Sequence, residues 1–374
     1  MFNMEIDKHI LEDWYKKNLT ADVINISEYS IEPMTYGEVS TYFSIPNDLI
    51  ESTTLSYATE KNLTDLKEKL SVFYKASPEN ILITNGASEA IFIILSLMAE
   101  YGCNIITQSP FYYNYEKLLN NYGMRLQKWN VLNNVNCKKN INILKELINN
   151  HTKLILLNNI SNPTGIIFSS ENLLTILEYC KKFNIYVAVD EVGLPFRTDE
   201  LNTLPIYKLS SVFGISIGSL SKLFGVPGIR VGWIVSNPEV IKKCETYKDV
   251  ISISNSELSL IIANRILSKN EDFLSKRINI IKSNICIIEE WIKRVESLDW
   301  EKPLFNLSAL IKYKRKINSF DYCKGLLNRK KVFVAPGSCF NVEFSFRISL
   351  ACNIKNLIKG LQLIEEYEKE EFYK

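Results

Sequence analysis

The sequence contains little histidine, no paired cysteines and almost no net charge. Its two histidines, His9 and His151, lie far apart, which disfavours a metal site built from histidine. The 44 basic and 42 acidic residues of the 374-residue chain nearly cancel, so nothing indicates a nucleic-acid or membrane partner. None of the eight cysteines forms a Cys-x-x-Cys pair. This usage favours reduced thiols in a cytosolic protein over a disulfide framework.

Long apolar runs are also missing. The most apolar stretch, Ala90 to Ala99, is about half as long as a membrane-spanning helix requires. The N-terminus carries Glu5, Asp7 and Lys8, with no apolar signal-peptide core behind them. These absences predict a soluble cytoplasmic protein. A chain of this length suffices for one large domain and a smaller one.

Short β-branched segments alternate with helical patterns through the middle of the chain. The predicted strands are Ile81–Thr84, Asn104–Thr107, Lys153–Leu157, Ile185–Val189, Val212–Ile217 and Val231–Val235. The predicted helices between them are Glu89–Glu100, Tyr113–Tyr122, Ile143–Asn149, Glu171–Phe183 and Pro238–Lys248. Apolar strands separated by helices are typical of an α/β fold with a mostly parallel sheet sandwiched by helices.

The pattern changes after Ser254. It is helical to about Ser297, and predicted strands and a terminal helix follow, at Leu310–Tyr313, Val332–Val334, Phe344–Ser349 and Ile354–Glu371. We therefore predict a large domain over residues 46–275 and a smaller α+β domain over 276–374, to which an N-terminal arm, residues 1–45, contributes.

Lys222 lies in a segment suited to covalent chemistry. It follows Ser219 and Ser221, and Arg230 comes eight positions later. An amine in this setting suits a Schiff base with an aldehyde cofactor whose phosphate binds hydroxyls, amides and a guanidinium. Taken alone, the segment would be interpreted as a surface lysine after a buried strand.

Polar residues also follow the other predicted strands, where ligands of parallel sheets bind. Gly86, Ala87 and Ser88 open a helix whose amides could bind phosphate, or Ser88 could simply cap that helix. Asn162, in Asn-Pro-Thr-Gly, could form part of a plain turn or hydrogen-bond to a ring oxygen. Asp190 could cap a helix or pair with a pyridinium nitrogen, which would keep the ring able to accept electrons.

Two further side chains complete this set. Tyr112 could stack on a flat ring, although an aromatic residue is more commonly part of the core. Arg347 lies inside the apolar strand Phe344–Ser349. It could bind the α-carboxylate of an amino acid or form an internal ion pair with a glutamate.

Together these motifs resemble the class I/II aminotransferase superfamily of fold-type-I enzymes, which use pyridoxal 5′-phosphate (PLP). The resemblance spans about Tyr57 to Ser349. It implies that Lys222 forms the Schiff base, Asp190 pairs with the ring nitrogen and Tyr112 stacks on the ring. It also implies that Asn162 binds the ring hydroxyl and that Arg347 binds the substrate carboxylate. The residues that would bind the phosphate are Gly86, Ala87, Ser88, Ser219 and Arg230.

The resemblance also implies a homodimer with shared active sites. Tyr57 matches the tyrosine that reaches the phosphate of the neighbouring subunit, although the family's glycine five residues later is Asn62 here. A second departure is Gly193, where standard aminotransferases have a tyrosine that touches the ring oxygen. We expect this loss to alter the acidity of the imine and to leave room beside the ring.

The N-terminal segments Leu11–Tyr15 and Ile26–Val39 resemble those of capreomycidine synthase-like enzymes, which act on arginine-derived amino acids and also lack that tyrosine. This resemblance implies that the enzyme removes the Cα proton of a guanidino amino acid and then eliminates and cyclises, or oxidises, it. Glu28 and Glu32 would bind the cationic end, unless they belong to a solvated acidic loop.

Two other functions are compatible with the motifs. An ordinary aminotransferase would move an amino group to a 2-oxo acid. A binding protein without catalysis is disfavoured because Lys222, Asp190, Asn162, Arg230 and Arg347 are all present.

Overall fold

The computed structural model describes residues 9–112, 115–132, 138–196 and 199–372. Its α-helices are Ile10–Asn18 (α1), Tyr36–Phe43 (α2), Asn47–Glu51 (α3), Glu60–Tyr74 (α4), Ala87–Leu97 (α5), Glu116–Asn121 (α6), Lys138–Leu147 (α7), Ser170–Lys181 (α8), Ile206–Leu209 (α9), Pro238–Ile251 (α10), Glu257–Ser268 (α11), Asn270–Arg294 (α12), Ser319–Lys330 (α13) and Ile354–Phe372 (α14). Its strands are Ile24–Asn25 (β1), Ile81–Thr84 (β2), Asn104–Ser109 (β3), Arg125–Asn130 (β4), Thr152–Asn158 (β5), Tyr186–Asp190 (β6), Gly214–Ser219 (β7), Gly232–Val235 (β8), Leu298–Trp300 (β9), Ser308–Tyr313 (β10), Val332–Phe333 (β11), Ala335–Pro336 (β12) and Ser345–Ser349 (β13).

A seven-stranded sheet forms the centre of the protein, in the order β2-β8-β7-β6-β5-β3-β4. Strand β8 is antiparallel to both of its neighbours, and the other pairs are parallel. Alternate residues of β5 face opposite sides: Leu154 and Leu156 pack in the cluster that includes α5 and α10, whereas Ile155 and Leu157 pack with α8. Helices therefore cover both faces, as the sequence predicts.

Two differences from the predicted elements concern the edge of this sheet. Strand β4 is missing from the sequence-based assignment because its segment, Arg125–Asn130, is largely polar and pairs on one side only. The predicted helix Tyr113–Tyr122 is shorter, since α6 begins at Glu116. Tyr113 itself lies outside the described residues.

The C-terminal part of the chain contains a second sheet, which is antiparallel and ordered β12-β13-β10-β9. The N-terminal segment packs against this part of the chain, because β1 and β11 form a separate two-stranded parallel sheet and the indole nitrogen of Trp14 donates to the Val334 carbonyl at 3.0 Å. The division of the chain at residues 45 and 275 stays a prediction. Within the described ranges, we find no helix of the length and apolarity that crossing a membrane would need.

Candidate active site

A cavity of about 320 Å³ lies at the carboxyl edge of the central sheet. Strands β5, β6 and β7 run parallel and end here, at Asn158, Asp190 and Ser219. The cavity brings together predicted residues that are far apart in sequence: Glu28, Ala87, Ser88, Tyr112, Asn162, Asp190, Ser219, Lys222, Arg230 and Arg347.

Lys222 enters the cavity from the turn after β7. Its backbone is held by the Ile31 amide, which donates to the Lys222 carbonyl at 3.1 Å. Burial and the charge of Arg347 lower the pKa of the Lys222 amine, although Glu28, Asp190 and Glu12 oppose the change. A lowered pKa increases the neutral fraction of the amine, and the neutral form can act as nucleophile or base.

Asp190 is completely buried at the end of β6. Its Oδ1 accepts a hydrogen bond from the Val192 amide at 3.0 Å, whereas Oδ2 is buried without a partner among the described residues. Burial raises the pKa of Asp190 to about 7, against the opposing effects of the Val192 amide and Lys222. A buried carboxylate oxygen without a donor fits a protonated ring nitrogen, which would supply both a hydrogen bond and a positive charge.

Asn158 fixes the neighbouring groups. Its Nδ2 donates to the Asp190 carbonyl at 3.0 Å, and its Oδ1 accepts from the Asn162 amide at 2.7 Å. These two hydrogen bonds link the ends of β5 and β6 to the Asn-Pro-Thr-Gly turn. The sequence analysis missed Asn158, although it lies at the carboxyl end of a buried parallel strand and could have been found by that criterion.

Gly86 and Arg230 form a cradle at the start of α5. Gly86 has a φ of 89°, and a Cβ there would overlap the Arg230 guanidinium. Arg230 donates to the carbonyls of Asn85 and Pro227 at 3.2 and 3.0 Å. Among the described residues, no side chain makes a capping hydrogen bond to the start of α5, and Ser88 lies in its first turn rather than at the cap. Free amides beside a guanidinium fit a phosphate group.

Arg347 is 2% exposed on β13 and points to neutral oxygens. It donates to the Ser27 carbonyl from Nε and Nη2 at 3.1 and 2.8 Å, to Asn162 Oδ1 at 3.1 Å and to the Tyr15 hydroxyl at 3.2 Å. These partners hold the side chain in place without balancing its charge. The geometry suits an added carboxylate.

Tyr112 contacts the N-terminal helix. Its hydroxyl donates to Glu12 Oε1 at 3.0 Å, and its ring centroid lies 5.0 Å from that of His9. Glu12, Tyr15 and Tyr29 also line the cavity. Sequence reasoning missed all three because no local pattern marks them.

Gly193 does not leave open space, which corrects one expectation. A Cβ at this position would come 2.5 Å from the Tyr29 hydroxyl. That hydroxyl donates to the Ile160 carbonyl at 3.2 Å. The N-terminal segment therefore fills the volume beside residue 193.

Tyr57 and Glu32 do not line the cavity. Tyr57 is 73% exposed and forms a β-bridge with Ser256. Glu32 is turned towards the start of α14, where its Oε1 accepts from the Asn353 amide at 3.0 Å. Asn62, which replaces the family's glycine, donates to Glu257 Oε1 at 2.6 Å.

The chain belongs to the family of class I and II aminotransferases, whose sequence profile matches residues 45–364. Capreomycidine synthase of Streptomyces vinaceus is 23% identical over 361 residues, which cover 95% of this chain and 92% of that protein. The probable aminotransferase TAT2 of Arabidopsis thaliana is 24% identical over 307 residues, which cover 78% of this chain and 74% of TAT2. The crystal structure of a PLP-dependent aminotransferase from Streptococcus suis superposes with a TM-score of 0.89 at 25% identity, covering 98% of this chain and 99% of that one.

These similarities confirm the predicted fold-type-I class, an enzyme of the aminotransferase superfamily and PLP as its cofactor. The residues at the sheet edge fit PLP in three respects. They offer an amine at Lys222, a buried carboxylate oxygen at Asp190 and a helix N-terminus beside Arg230.

Proposed function

We propose that the protein binds guanidine-bearing L-amino acids of the arginine class, and that from a hydroxyarginine it eliminates the hydroxyl group and closes a ring. The observation that carries this proposal is a pair of carboxylates, Glu12 and Glu28, in the same cavity as Arg347. An amino acid held at its carboxylate by Arg347 would extend a cationic side chain towards acidic groups. The similarity to capreomycidine synthase along 95% of this chain supports the same substrate class.

Glu12 and Glu28 come from α1 and from the segment after β1. Glu28 Oε1 accepts from Asn25 Nδ2 at 3.3 Å, and Glu12 Oε1 accepts from the Tyr112 hydroxyl. Both charges act on Lys222 across the cavity, where they favour its protonated form. They would attract a guanidinium in the same way, because charge-assisted hydrogen bonds to carboxylates are among the strongest in proteins. Glu12 thus takes the place of Glu32 in the proposed recognition.

The chain's own groups account for the remaining steps. PLP, held at this site by Asp190, Arg230 and Lys222, would supply an aromatic ring that can accept the electron pair of the Cα–H bond. Asp190 would hold the ring nitrogen in its protonated form, and Lys222, released when the substrate amine replaces it on the cofactor, would accept the Cα proton. The Cβ hydroxyl of a 3-hydroxyarginine then leaves with a proton as water. A guanidine nitrogen would then add to Cβ and close the ring, and the proton it loses would be passed by Lys222 to Cα, so that the net change is the loss of one water.

The deciding experiment is incubation of the PLP-loaded protein with L-arginine, 3-hydroxyarginine and 4-hydroxyarginine. We expect mass spectrometry to show the loss of one water from a hydroxyarginine. If none of the three changes the visible absorbance of the bound cofactor while common amino acids do, the guanidine proposal is wrong.

Three glutamine variants test the recognition. E12Q and E28Q should each raise the KM for the guanidino substrate about ten- to hundredfold, because each removes one charge-assisted hydrogen bond. E32Q is the matched control and should leave KM unchanged. An effect of E32Q equal to the others would contradict the assignment.

An ordinary aminotransferase is the second candidate, favoured by the similarity to TAT2. It would lose the visible band of the bound cofactor with an amino acid and regain it with a 2-oxo acid. Recovery by a 2-oxo acid, without loss of water from a hydroxyarginine, would establish this alternative.

The assignment of Lys222 has its own test. Borohydride should fix the cofactor irreversibly, and mass spectrometry of the digested protein should find it on Lys222. Attachment to any other lysine would refute the assignment.

We also infer that the active form is a homodimer. Four large apolar side chains are exposed close to one another in the fold: Leu55 at 83%, Tyr57 at 73%, Val250 at 85% and Ile253 at 63%. Exposed apolar patches mark interaction surfaces, and two-fold dimers are the commonest assemblies.

This patch adjoins the proposed phosphate cradle. Asn85 Nδ2 donates to the Ser254 carbonyl at 3.3 Å, and Asn255 Nδ2 donates to Asn85 Oδ1 at 3.0 Å. A second copy seated here would bring its own Tyr57 close to the cradle.

V250D and I253D should therefore produce monomers that bind PLP more weakly. V72D is the control, since Val72 is similarly exposed, at 81%, near the far end of α4. A fully active wild-type monomer in light scattering would overturn the inference.

A further inference from the structure

Gly193 and Tyr29 come from distant parts of the chain and meet beside the cofactor site. The Tyr29 side chain is 4% exposed and lines the cavity. Its hydroxyl lies 2.5 Å from the position of a Cβ on Gly193, and its Cζ lies 3.5 Å away. A contact of 2.5 Å is too short for two heavy atoms that are not hydrogen-bonded. Any side chain at 193 therefore competes with this hydroxyl for the same volume.

We infer that Tyr29 and Gly193 are a matched pair, in which the N-terminal segment builds the wall of the site that residue 193 builds in standard aminotransferases. Tyr29 fills this volume and acts as a positioning residue for the groups that hold the substrate. The inference depends on the proposed function only for the identity of the amino acid that is bound.

Tyr29 fills space rather than supplying a hydrogen bond to the ring. Its single proton is directed to the Ile160 carbonyl, at 3.2 Å. Burial, reinforced by the charge of Asp190, raises its pKa well above the usual range, so the hydroxyl keeps this proton. Asn162, which also lines the cavity, would then be the neutral donor available to the ring oxygen.

Three consecutive residues explain the positioning effect. The Ser27 carbonyl accepts two hydrogen bonds from Arg347, and the next residue, Glu28, faces the cavity. Tyr29 follows and is anchored to Ile160. Because the three are neighbours along the chain, the anchor at Tyr29 fixes both the orientation of Arg347 and the place of Glu28.

The test is a double-mutant cycle with G193A, Y29F and the double variant. G193A should weaken PLP binding about tenfold and lower the melting temperature, since overpacking a buried site is destabilising. Y29F removes the overlapping oxygen and leaves Cζ at 3.5 Å, an ordinary contact. The double variant should therefore bind PLP as Y29F does. G37A is the control, because a Cβ on Gly37 meets nothing within 4 Å.

A second measurement separates positioning from general stability. Y29F alone should raise the Kd for L-arginine several-fold while changing PLP affinity less than about twofold, since only the hydrogen bond to Ile160 is lost. The inference is overturned if G193A binds PLP like the wild type, or if Y29F does not relieve G193A. If G193A does not fold, a folded double variant supports the pair and an unfolded one contradicts it. Failure of wild-type protein to bind L-arginine and both hydroxyarginines would refute the proposed substrate, whereas the PLP and melting measurements would still decide the pair.

Discussion

Replacing Asp190 by asparagine should stabilise the cofactor-free protein at alkaline pH and weaken its binding of PLP. In the absence of a cationic partner, the Asp190 carboxylate is completely buried and its Oδ2 has no donor among the described residues. Burial raises its pKa from the ordinary 3.8 to about 7. The charged form of this carboxylate is therefore unfavourable unless a positively charged group, such as a protonated ring nitrogen, binds beside it.

The sign and size of the effect follow from these two values. At pH values between the ordinary and the raised pKa, Asp190 keeps its proton in the folded chain but has released it in the unfolded chain. Stability therefore falls as pH rises through this range. The interval is about three pH units at about 1.36 kcal/mol each, so the full deficit above it is about 4 kcal/mol. Asparagine removes the deficit but leaves a buried amide short of a partner, which costs about 1–3 kcal/mol. A net gain of about 1–3 kcal/mol should remain at about pH 8.5.

The assay is urea unfolding of cofactor-free wild type and D190N at about pH 4.5 and about pH 8.5. The stability of D190N relative to wild type should rise by about 3 kcal/mol between the two conditions. Glu191, whose pKa burial raises to about 8, is present in both proteins and largely cancels. D48N controls for removal of an exposed carboxylate. A difference that does not change with pH would refute the reasoning, as would PLP affinity in D190N equal to that of the wild type.

Three further substitutions have definite outcomes. G86A should weaken PLP binding about tenfold or more in an absorbance titration, because Gly86 has a positive φ and its Cβ would overlap Arg230; unchanged affinity would contradict this account. R347K keeps the charge but loses the two-pronged geometry, so KM for the amino acid should rise about tenfold or more while the Kd for PLP stays constant; a parallel loss of both would indicate a structural role instead. Burial raises the pKa of Glu257, but hydrogen bonds from Thr59 outweigh it and hold that pKa below its ordinary value. E257Q should therefore lose stability at neutral pH in urea unfolding, and the loss should shrink as pH falls through the lowered pKa.

The meeting of the proposed cofactor-binding residues at one edge of the sheet could be predicted because it follows from local patterns and one rule of topology. Buried apolar strands are visible in the sequence, and parallel strands end at a common edge. Asp190 and Ser219 end such strands, and Lys222 follows in the next turn. Their meeting in one cavity therefore requires no knowledge of long-range packing. Asn158 satisfies the same rule and was missed only because no motif surrounds it.

The substrate end could not be predicted in the same way. Glu12 reaches the cavity because α1 contacts Tyr112, 100 residues away in sequence. Tyr29 reaches it through a hydrogen bond to Ile160 across 131 residues. Such contacts carry no local periodicity. Glu32, four residues after Glu28, is turned away from the cavity, because the direction of a loop carboxylate depends on its packing, here against the start of α14.

The N-terminal segment can therefore change what is bound without changing the chemistry of the cofactor. Its side chains line the cavity, and its backbone is bonded to the turn that carries Lys222: the Ile31 amide donates to the Lys222 carbonyl, and the Met34 amide donates to the Gly225 carbonyl at 2.9 Å. These bonds tolerate substitution of the side chains between them, whereas the groups proposed to hold the cofactor are fixed by strands and a helix start. The substitutions that positions 12, 28 and 29 can accept are limited by the contacts of this segment with Gly193 and Arg347. Specificity in this protein should consequently be altered by changes in an arm that carries no catalytic motif, and such changes, Y29F included, should leave PLP binding largely intact.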